Sequence, residues 1–315
     1  MNHPKLSVAE TFGLTNPRTR IEQARMALAG DPYTPPSKWG LSSLKIHRPV
    51  LSVKTWAGWK PSDRLVPVTN FFNRTQTPVK EGWSVRKTQV RDFRGGSATY
   101  DSHNGTDFAI PPGITVCAPA AGFVRRISSE FHRGGLKIVI DHGNGLITTS
   151  GHLGRALIDE GDFLEAGQPM ALSGYSGIDA VISFPWSVPH VHFNTWLNAT
   201  PVDPFAMPDE VSLWVNRNAP EPYVDGLELP AFQPTVWDEG ALEDLIQGCR
   251  DPELRDELMK IDDLDKRAVD TIFMKNYFPT RFSQDISPYV EEFERQPMLV
   301  LPFSTSEYDG VRLLD

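Results

Sequence analysis

The sequence predicts a mainly β protein. A compact antiparallel β-domain spans residues 101–205, between an irregular N-terminal region (1–100) and a mostly helical, acidic C-terminal region (206–315). Three observations carry this. Between about residues 100 and 205, short alternating segments are separated by turn signals, the pattern of hairpin-connected strands. The 27 prolines and 24 glycines among 315 residues favour turns and loops over long helices. After Pro201 the pattern turns helical and acidic.

The first element in chain order is a helix. Asn16 can cap it, Pro17 suits the first helical position and Gly30 suits its end. Ile21, Ala24 and Leu28 fall on one face of it. A Pro-rich connector, DPYTPPSKWG, follows. Residues 44–53 (LKIHRPVLSV) read as an edge strand interrupted by Pro49, and residues 64–79 lead into the sheet. The strands of the central domain read as 106–110, 115–118, 122–128, 136–141, 146–151, 169–173 and 190–197. Between the fourth and fifth, DHGNG at 141–145 is a turn, because Asn-Gly is a strong hairpin cue. Three short helices are expected at 237–249, 252–261 and 264–278, the second opened by Asp251 and Pro252. The 12 acidic and 5 basic residues between 236 and 270 read as solvated helix faces. Residues 298–303 read as a further strand.

Composition limits the function classes. The net charge of −9 argues against a nucleic-acid binder. The charge is split, however: residues 1–100 carry 16 Lys/Arg and 6 Asp/Glu, leaving 15 and 34 for the remainder. Such halves either attract each other or meet different outside partners. Cys117 and Cys249 form no CxxC pair and no disulfide framework. Cys117, in ITVCAPA, reads as an inert core thiol. No run of 18 apolar residues suggests a membrane span, and the first residues lack a signal-peptide apolar core. The expectation is a protein that stays in the cytoplasm, is exported by another route, or is cut from a longer precursor.

The chemistry concentrates in a few residues. SHNGTDFAI holds His103 and Asp107, four apart. PHVHF holds His190 and His192, two apart, and SGHL holds His152. On a helix, residues two apart diverge by about 200°; on a strand they share a face, as do residues four apart. Both pairs can therefore aim into one side of a sheet, with Val191, Phe193 and Leu197 directed to the core. Imidazole and carboxylate suit zinc, and catalytic zinc takes three protein ligands and leaves a position open. The two groups left over could handle protons or a developing oxyanion. His3, His47 and His132 read as surface or satisfied core residues, and His142 as part of its turn.

These motifs resemble the lysostaphin/LytM-type zinc metallopeptidases. The resemblance runs from about His103 to Phe205, through HNGTDFAIPPGITVCAPAAGFV, KIVIDHGNGLITTSGHL, EGDFLEAGQPMALSGYSG, PHVHF and PVDPF. It implies an antiparallel β-domain with a groove over one sheet. It implies His103, Asp107 and His192 as ligands to one Zn2+, and His152 and His190 as catalytic histidines beside it. The implied reaction is hydrolysis of peptide bonds in peptidoglycan stems or cross-links by zinc-activated water, which would place the protein in the periplasm or cell wall. The motifs leave open whether the bond lies in a Gly-rich bridge or in a direct D-alanine to diamino-acid link. There are two departures. Ser150 stands where the family often has Tyr, and the loop IDAVISFPWSVP (178–189) is longer than usual, making Phe184 and Trp186 candidate substrate contacts. Two rivals follow: a non-catalytic regulator of a cell-wall hydrolase, and a zinc peptidase with a non-murein protein substrate.

Overall fold

The computed structural model describes residues 4–77 and 79–315; His3 lies outside them. Two helices open the chain: α1 (Val8–Phe12) and α2 (Pro17–Ala29). Ser7 caps α1 through a reciprocal capping box with Glu10. Helix α2 forms where expected and ends at Gly30, but Asn16 makes no side-chain cap and adopts a left-handed conformation instead. The expected apolar face is also not the docking face. Ile21 and Leu28 are 71% and 62% exposed. The helix docks through Ala24 and Ala27, against Phe131 and Ile178, and through Arg20, which donates to Ser129.

Residues 44–53 are not a strand. They form the end of a 3-10 turn (Leu41–Ile46) and most of α3 (Pro49–Trp56). Pro49 starts that helix: its missing N–H is no loss in a first helical turn. The chain then enters the sheet as β1 (Leu65–Asn70). Nine strands follow: β2 (Thr106–Ala109), β3 (Thr115–Cys117), β4 (Gly122–Glu130), β5 (Gly135–Asp141), β6 (Leu146–Ala156), β7 (Phe163–Leu164), β8 (Pro169–Ser173), β9 (His190–Leu197) and β10 (Thr200–Val202). A short helix, α4 (Ile178–Ser183), interrupts the loop before β9. After β10 come α5 (Glu239–Gln247), α6 (Pro252–Met259), α7 (Leu264–Tyr277) and β11 (Gly310–Leu313).

The main path of the sheet runs β11-β1-β2-β9-β6-β5-β4-β7. Its pairs are antiparallel except β1 with β11. Strands from both flanking regions thus extend the sheet built by residues 106–202. Residues 298–303 do not form a strand; they make isolated bridges to Trp214, Pro222 and Val116.

The two faces of the sheet are covered differently. One face buries Phe108, Val191 and Phe193 against Trp214, Leu299 and Phe303 from the C-terminal coil. Burying a side chain such as Phe193 stabilises the fold by about 2–3 kcal/mol. On the other face, Val139, Ile147 and Trp196 lie beneath α5 and α7, against Leu245, Ile272 and Phe273. Asp251 and Asp263 cap α6 and α7 through their side chains. The charge split is met in part within the chain. Arg64 meets Asp309, Arg74 meets Asp203 and Glu210, and Arg94 meets Asp315, each pairing a base of the N-terminal region with an acid of the remainder. Among the described residues no helix is long and apolar enough to cross a membrane.

Candidate metal centre and its cleft

Strand pairing assembles the floor of the site. In the β2–β9 register Asp107 lies opposite His192 and Ala109 opposite His190; across β6, Gly151 lies opposite His192. Alternation along β9 then puts His190, His192, Asn194 and Trp196 on the helix-covered side. Trp196 packs beneath α7, while the histidines lie beyond the helix end. His103 sits just before β2 and turns back over it.

The donor atoms converge. His103 Nε2 is 3.1 Å from Asp107 Oδ1 and 3.3 Å from His192 Nδ1, and that Nδ1 is 2.8 Å from the same Oδ1. These three buried side chains form a group able to hold a metal ion. Neighbours set the chemistry of each. His103 Nδ1 donates to the Phe71 carbonyl at 2.6 Å. A carbonyl can only accept, so the proton is on Nδ1 and Nε2 presents a lone pair. Asn70, at the end of β1, donates to Asp107 Oδ2 at 2.8 Å, which leaves Oδ1 for the centre. The amide nitrogen of Asn194 lies 3.0 Å from His192 Nε2. That amide is itself held by Asn104 and by the Tyr277 hydroxyl at the end of α7. A Cβ on Gly105 would come within 2.7 Å of His192 Nε2 and of the Phe193 carbonyl, so the glycine of HNGTD lets the backbone approach the ligand ring.

Electrostatics favour a cation here. Burial would raise the Asp107 carboxyl, but the surrounding imidazoles of His103, His190 and His192 outweigh it and hold it well below the usual carboxylate range. Burial pushes the His192 imidazole down despite Asp107. Two neutral imidazole nitrogens and one carboxylate oxygen fit the donor chemistry of a divalent metal with an open position.

Beside this group stand two further histidines. His152 Nδ1 donates to the Ser176 carbonyl and His190 Nδ1 to the Val188 carbonyl, both at 2.7 Å. Their rings are 4.7 Å apart. His152 takes a left-handed backbone angle, φ 57°, and is held by a 2.7 Å bond from its N–H to the Gly134 carbonyl. Such strain persists only where the surroundings over-determine it. Burial, then His190 and His192, hold its pKa well below the ordinary imidazole value. The five side chains singled out in the sequence are thus brought together.

A cover lies over this floor. His152, His190 and Asp107 line a cavity of about 90 Å³ whose opposite walls are Trp39, Ile46, His47, Val85 and Tyr100 from the N-terminal region and Asp179 and Val188 from the loop before β9. The cover is fastened. Asp101 accepts hydrogen bonds from Ser84, Thr88 and Gln89, and the Ser52 hydroxyl lies 2.7 Å from the carbonyls of Pro185 and Ser187. Phe184 and Trp186 do not line this cavity. They are 52% and 55% exposed, and Phe184 packs edge-on against Phe12 and Trp56. His47, expected at the surface or in the core, lines the cavity instead, and its buried Nδ1 has no partner among the described residues. The buried Nδ1 of His132 likewise has none among them, and burial drives its pKa down to about 3. His142 is structural as expected: its ring nitrogens meet the Ala121 carbonyl and the Thr148 hydroxyl. Tyr175, missed in the sequence, stands with its ring 5.2 Å from His152 and 5.0 Å from His190. It places a phenol near the histidines where Ser150 supplies none.

Residues 101–204 match peptidase family M23. This stretch is an M23 peptidase domain. Its relatives include the peptidoglycan DD-endopeptidase ShyA of Vibrio cholerae, 34% identical over 127 residues, which cover 40% of this chain and 28% of that protein. An uncharacterized metalloprotease of Haemophilus influenzae is 30% identical over 105 residues, covering 33% of this chain and 21% of that one. Among solved structures, LytU is 28% identical, covering 46% of this chain and 86% of that chain, with a TM-score of 0.32. The chain spans less than a third of the length of the curated relatives named here. The triad, His152 and His190 all fall inside the M23 domain. Asn70, Tyr277 and most of the cover fall outside it.

Proposed function

We propose that the chain is a zinc-dependent metalloendopeptidase that hydrolyses peptide bonds in peptidoglycan stem or cross-link peptides. One observation carries the reading. Three buried donors converge beside two histidines whose Nδ1 protons are already committed to backbone carbonyls. The relatives named as peptidoglycan endopeptidases support the substrate class.

His103 Nε2, Asp107 Oδ1 and His192 Nδ1 would hold the zinc, which when bound supplies a Lewis acid for a carbonyl and acidifies water. The chain's own groups do the remainder. With Nδ1–H fixed, His152 and His190 each present Nε2 as the atom that takes up or returns a proton. Burial keeps His152 neutral at physiological pH, so its Nε2 lone pair is available to accept. Asn70 and the Phe71 carbonyl keep Asp107 and His103 oriented while this happens.

The experiment is digestion of purified murein with and without chelator, with mass analysis of the released peptides. The reading expects new peptide termini that disappear with chelator and return with zinc. Intact murein from zinc-loaded protein contradicts it and favours a regulator or a non-murein substrate.

A further inference from the structure

The turn between β4 and β5 carries an arginine that the reading above does not use. Arg133 lines a cavity shared with His152, His192, Asp179 and Tyr100, alongside the metal centre. The carbonyl of the next residue, Gly134, is the one that holds the His152 backbone. Other largely shielded guanidiniums have their donors met: Arg74 meets Asp203, Arg126 meets Glu130 and Asp270, and Arg281 meets Asp31 and Asp251, while Arg20 is satisfied by Thr15, Gln23 and Ser129. Arg133 has none within 4 Å among the described residues. Among the described residues its one side-chain hydrogen bond goes to the Ser37 hydroxyl at 3.3 Å, its charge sits 5.3 Å from the Trp83 ring centroid, and its buried Nε has no partner. Asp179 lines the same cavity without reaching ion-pair contact.

Arg133 is only partly exposed, and a guanidinium in such a place with a shielded, unpaired Nε gains from a partner that completes its donors. The guanidinium fork fits a carboxylate by two parallel hydrogen bonds. Because the cavity opens onto His152 and His192, the completing carboxylate belongs next to the bond being cut. This separates the two kinds of cross-link. A bond inside a glycine bridge has no carboxylate beside it. In a direct D-alanine to diamino-acid link, the carbon bearing the scissile nitrogen keeps its own free carboxylate.

We propose that Arg133 is a specificity-determining residue that binds a free carboxylate on the substrate residue beside the scissile bond, directing the site to direct D-alanyl–diamino-acid links. This rests on the peptidase reading. The test uses two synthetic peptides in which D-alanine is joined to the side-chain amine of diaminopimelate, with the adjacent carboxyl either free or converted to carboxamide. Zinc-loaded protein should prefer the free acid by ~10–100-fold in kcat/KM, the range for a hydrogen bond to a charged group. Arg133→Gln should lose that preference, with KM rising far more for the acid than for the carboxamide peptide; Arg133→Lys should restore part of it. Zinc content of one per chain in each variant establishes that the site is intact. Equal losses on both peptides, or no preference in the unaltered protein, overturn the proposal. If zinc-loaded protein cuts neither peptide, the peptidase reading fails, and calorimetric titration with the same pair decides Arg133 separately. Tighter binding of the acid that Arg133→Gln abolishes sustains the carboxylate site; equal affinities, or no binding of either peptide, overturn it.

Discussion

The floor of the cleft and its cover are built by opposite means. The floor is three adjacent strands, β2, β9 and β6, whose register places Asp107 opposite His192 and His192 opposite Gly151. The cover comes from segments distant in sequence, around Trp39, His47, Val85 and Tyr100, fastened by one buried carboxylate, Asp101, and by α3. The floor is specified by local alternation and short turns; the cover depends on long-range hydrogen bonds. The difference teaches that chemistry and access are separable here, and substitutions should divide along the same line.

The largest effect belongs to the floor. His192→Ala or Asp107→Ala should lose both zinc and peptide hydrolysis, read by metal analysis and mass spectrometry of murein digests. Full zinc retention in His192→Ala would break the ligand assignment. Next is His152→Ala, which should keep zinc and lose ~10²–10⁴-fold in rate, the usual worth of a positioned acid–base group. A variant that loses zinc as well would make His152 part of the ligand set.

Acid stability sharpens the contrast, because it reads the β-domain without the metal. His142 is fully buried, and burial, opposed by the Ala121 and Ala120 carbonyls, lowers its pKa to about 4. Its unfolded value is ~6.5, so the unfolded chain takes up the proton first as pH falls. Its contribution is complete above pH 6.5 and is lost between pH 6.5 and 4, on the order of 3 kcal/mol. Urea unfolding of chelated protein should show that loss, and His142→Gln should make the slope shallower by that share, while His132, lowered to about 3, keeps its own. An unchanged slope would contradict the assignment of His142 as a buried neutral ring.

In the cover, Asp101→Ala should leave donors of Ser84, Thr88 and Gln89 unpaired and destabilise by about 2–3 kcal/mol. Hydrogen exchange should speed at 84–89 while the β9 amides and the zinc content stay unchanged. If zinc falls in proportion, floor and cover are one unit. The smallest effect joins the two regions. Asn70 lies in β1, outside the M23 domain, yet it holds Asp107. Asn70→Ala should weaken zinc affinity by ~10–100-fold, as loss of a partner behind a ligand does.

The strands β2–β6, β8 and β9 were legible in the sequence because alternation and turn residues mark them, whereas the short β7, β10 and β11 were not. DHGNG at 141–145 lies between β5 and β6, and HVHF and HNGTD fall on one sheet side with Val191 and Phe193 on the other. The three acidic helices were legible from their helical, acidic pattern, and α6 also from its Asp251-Pro252 start. What escaped had no local signal. Pro49 reads as a strand interruption or as a helix start depending on what packs around it, and tertiary contacts chose the helix. Ile21 and Leu28 looked like a docking face because alanines and a buried arginine carry little hydrophobic signal, yet Arg20, Ala24 and Ala27 make the contacts. In the site, His103, Asp107, His152, His190 and His192 could be picked out by spacing. Asn70, Tyr175 and Arg133 could not, since nothing in the sequence says which strand or turn lies beside the ligands. Asn194 had a signal that was passed over: it is two residues beyond His192 on the same strand.

The central claim is that the triad is a hydrolytic zinc centre, and the most direct measurement couples metal to chemistry in one sample. Chelated protein is titrated with zinc while the release of peptides from purified murein is followed. The account predicts release that rises in proportion to bound zinc and stops rising at one zinc per chain, with His192→Ala flat throughout. Murein cut by the fully chelated protein, or murein left intact by protein holding one zinc per chain, would contradict it.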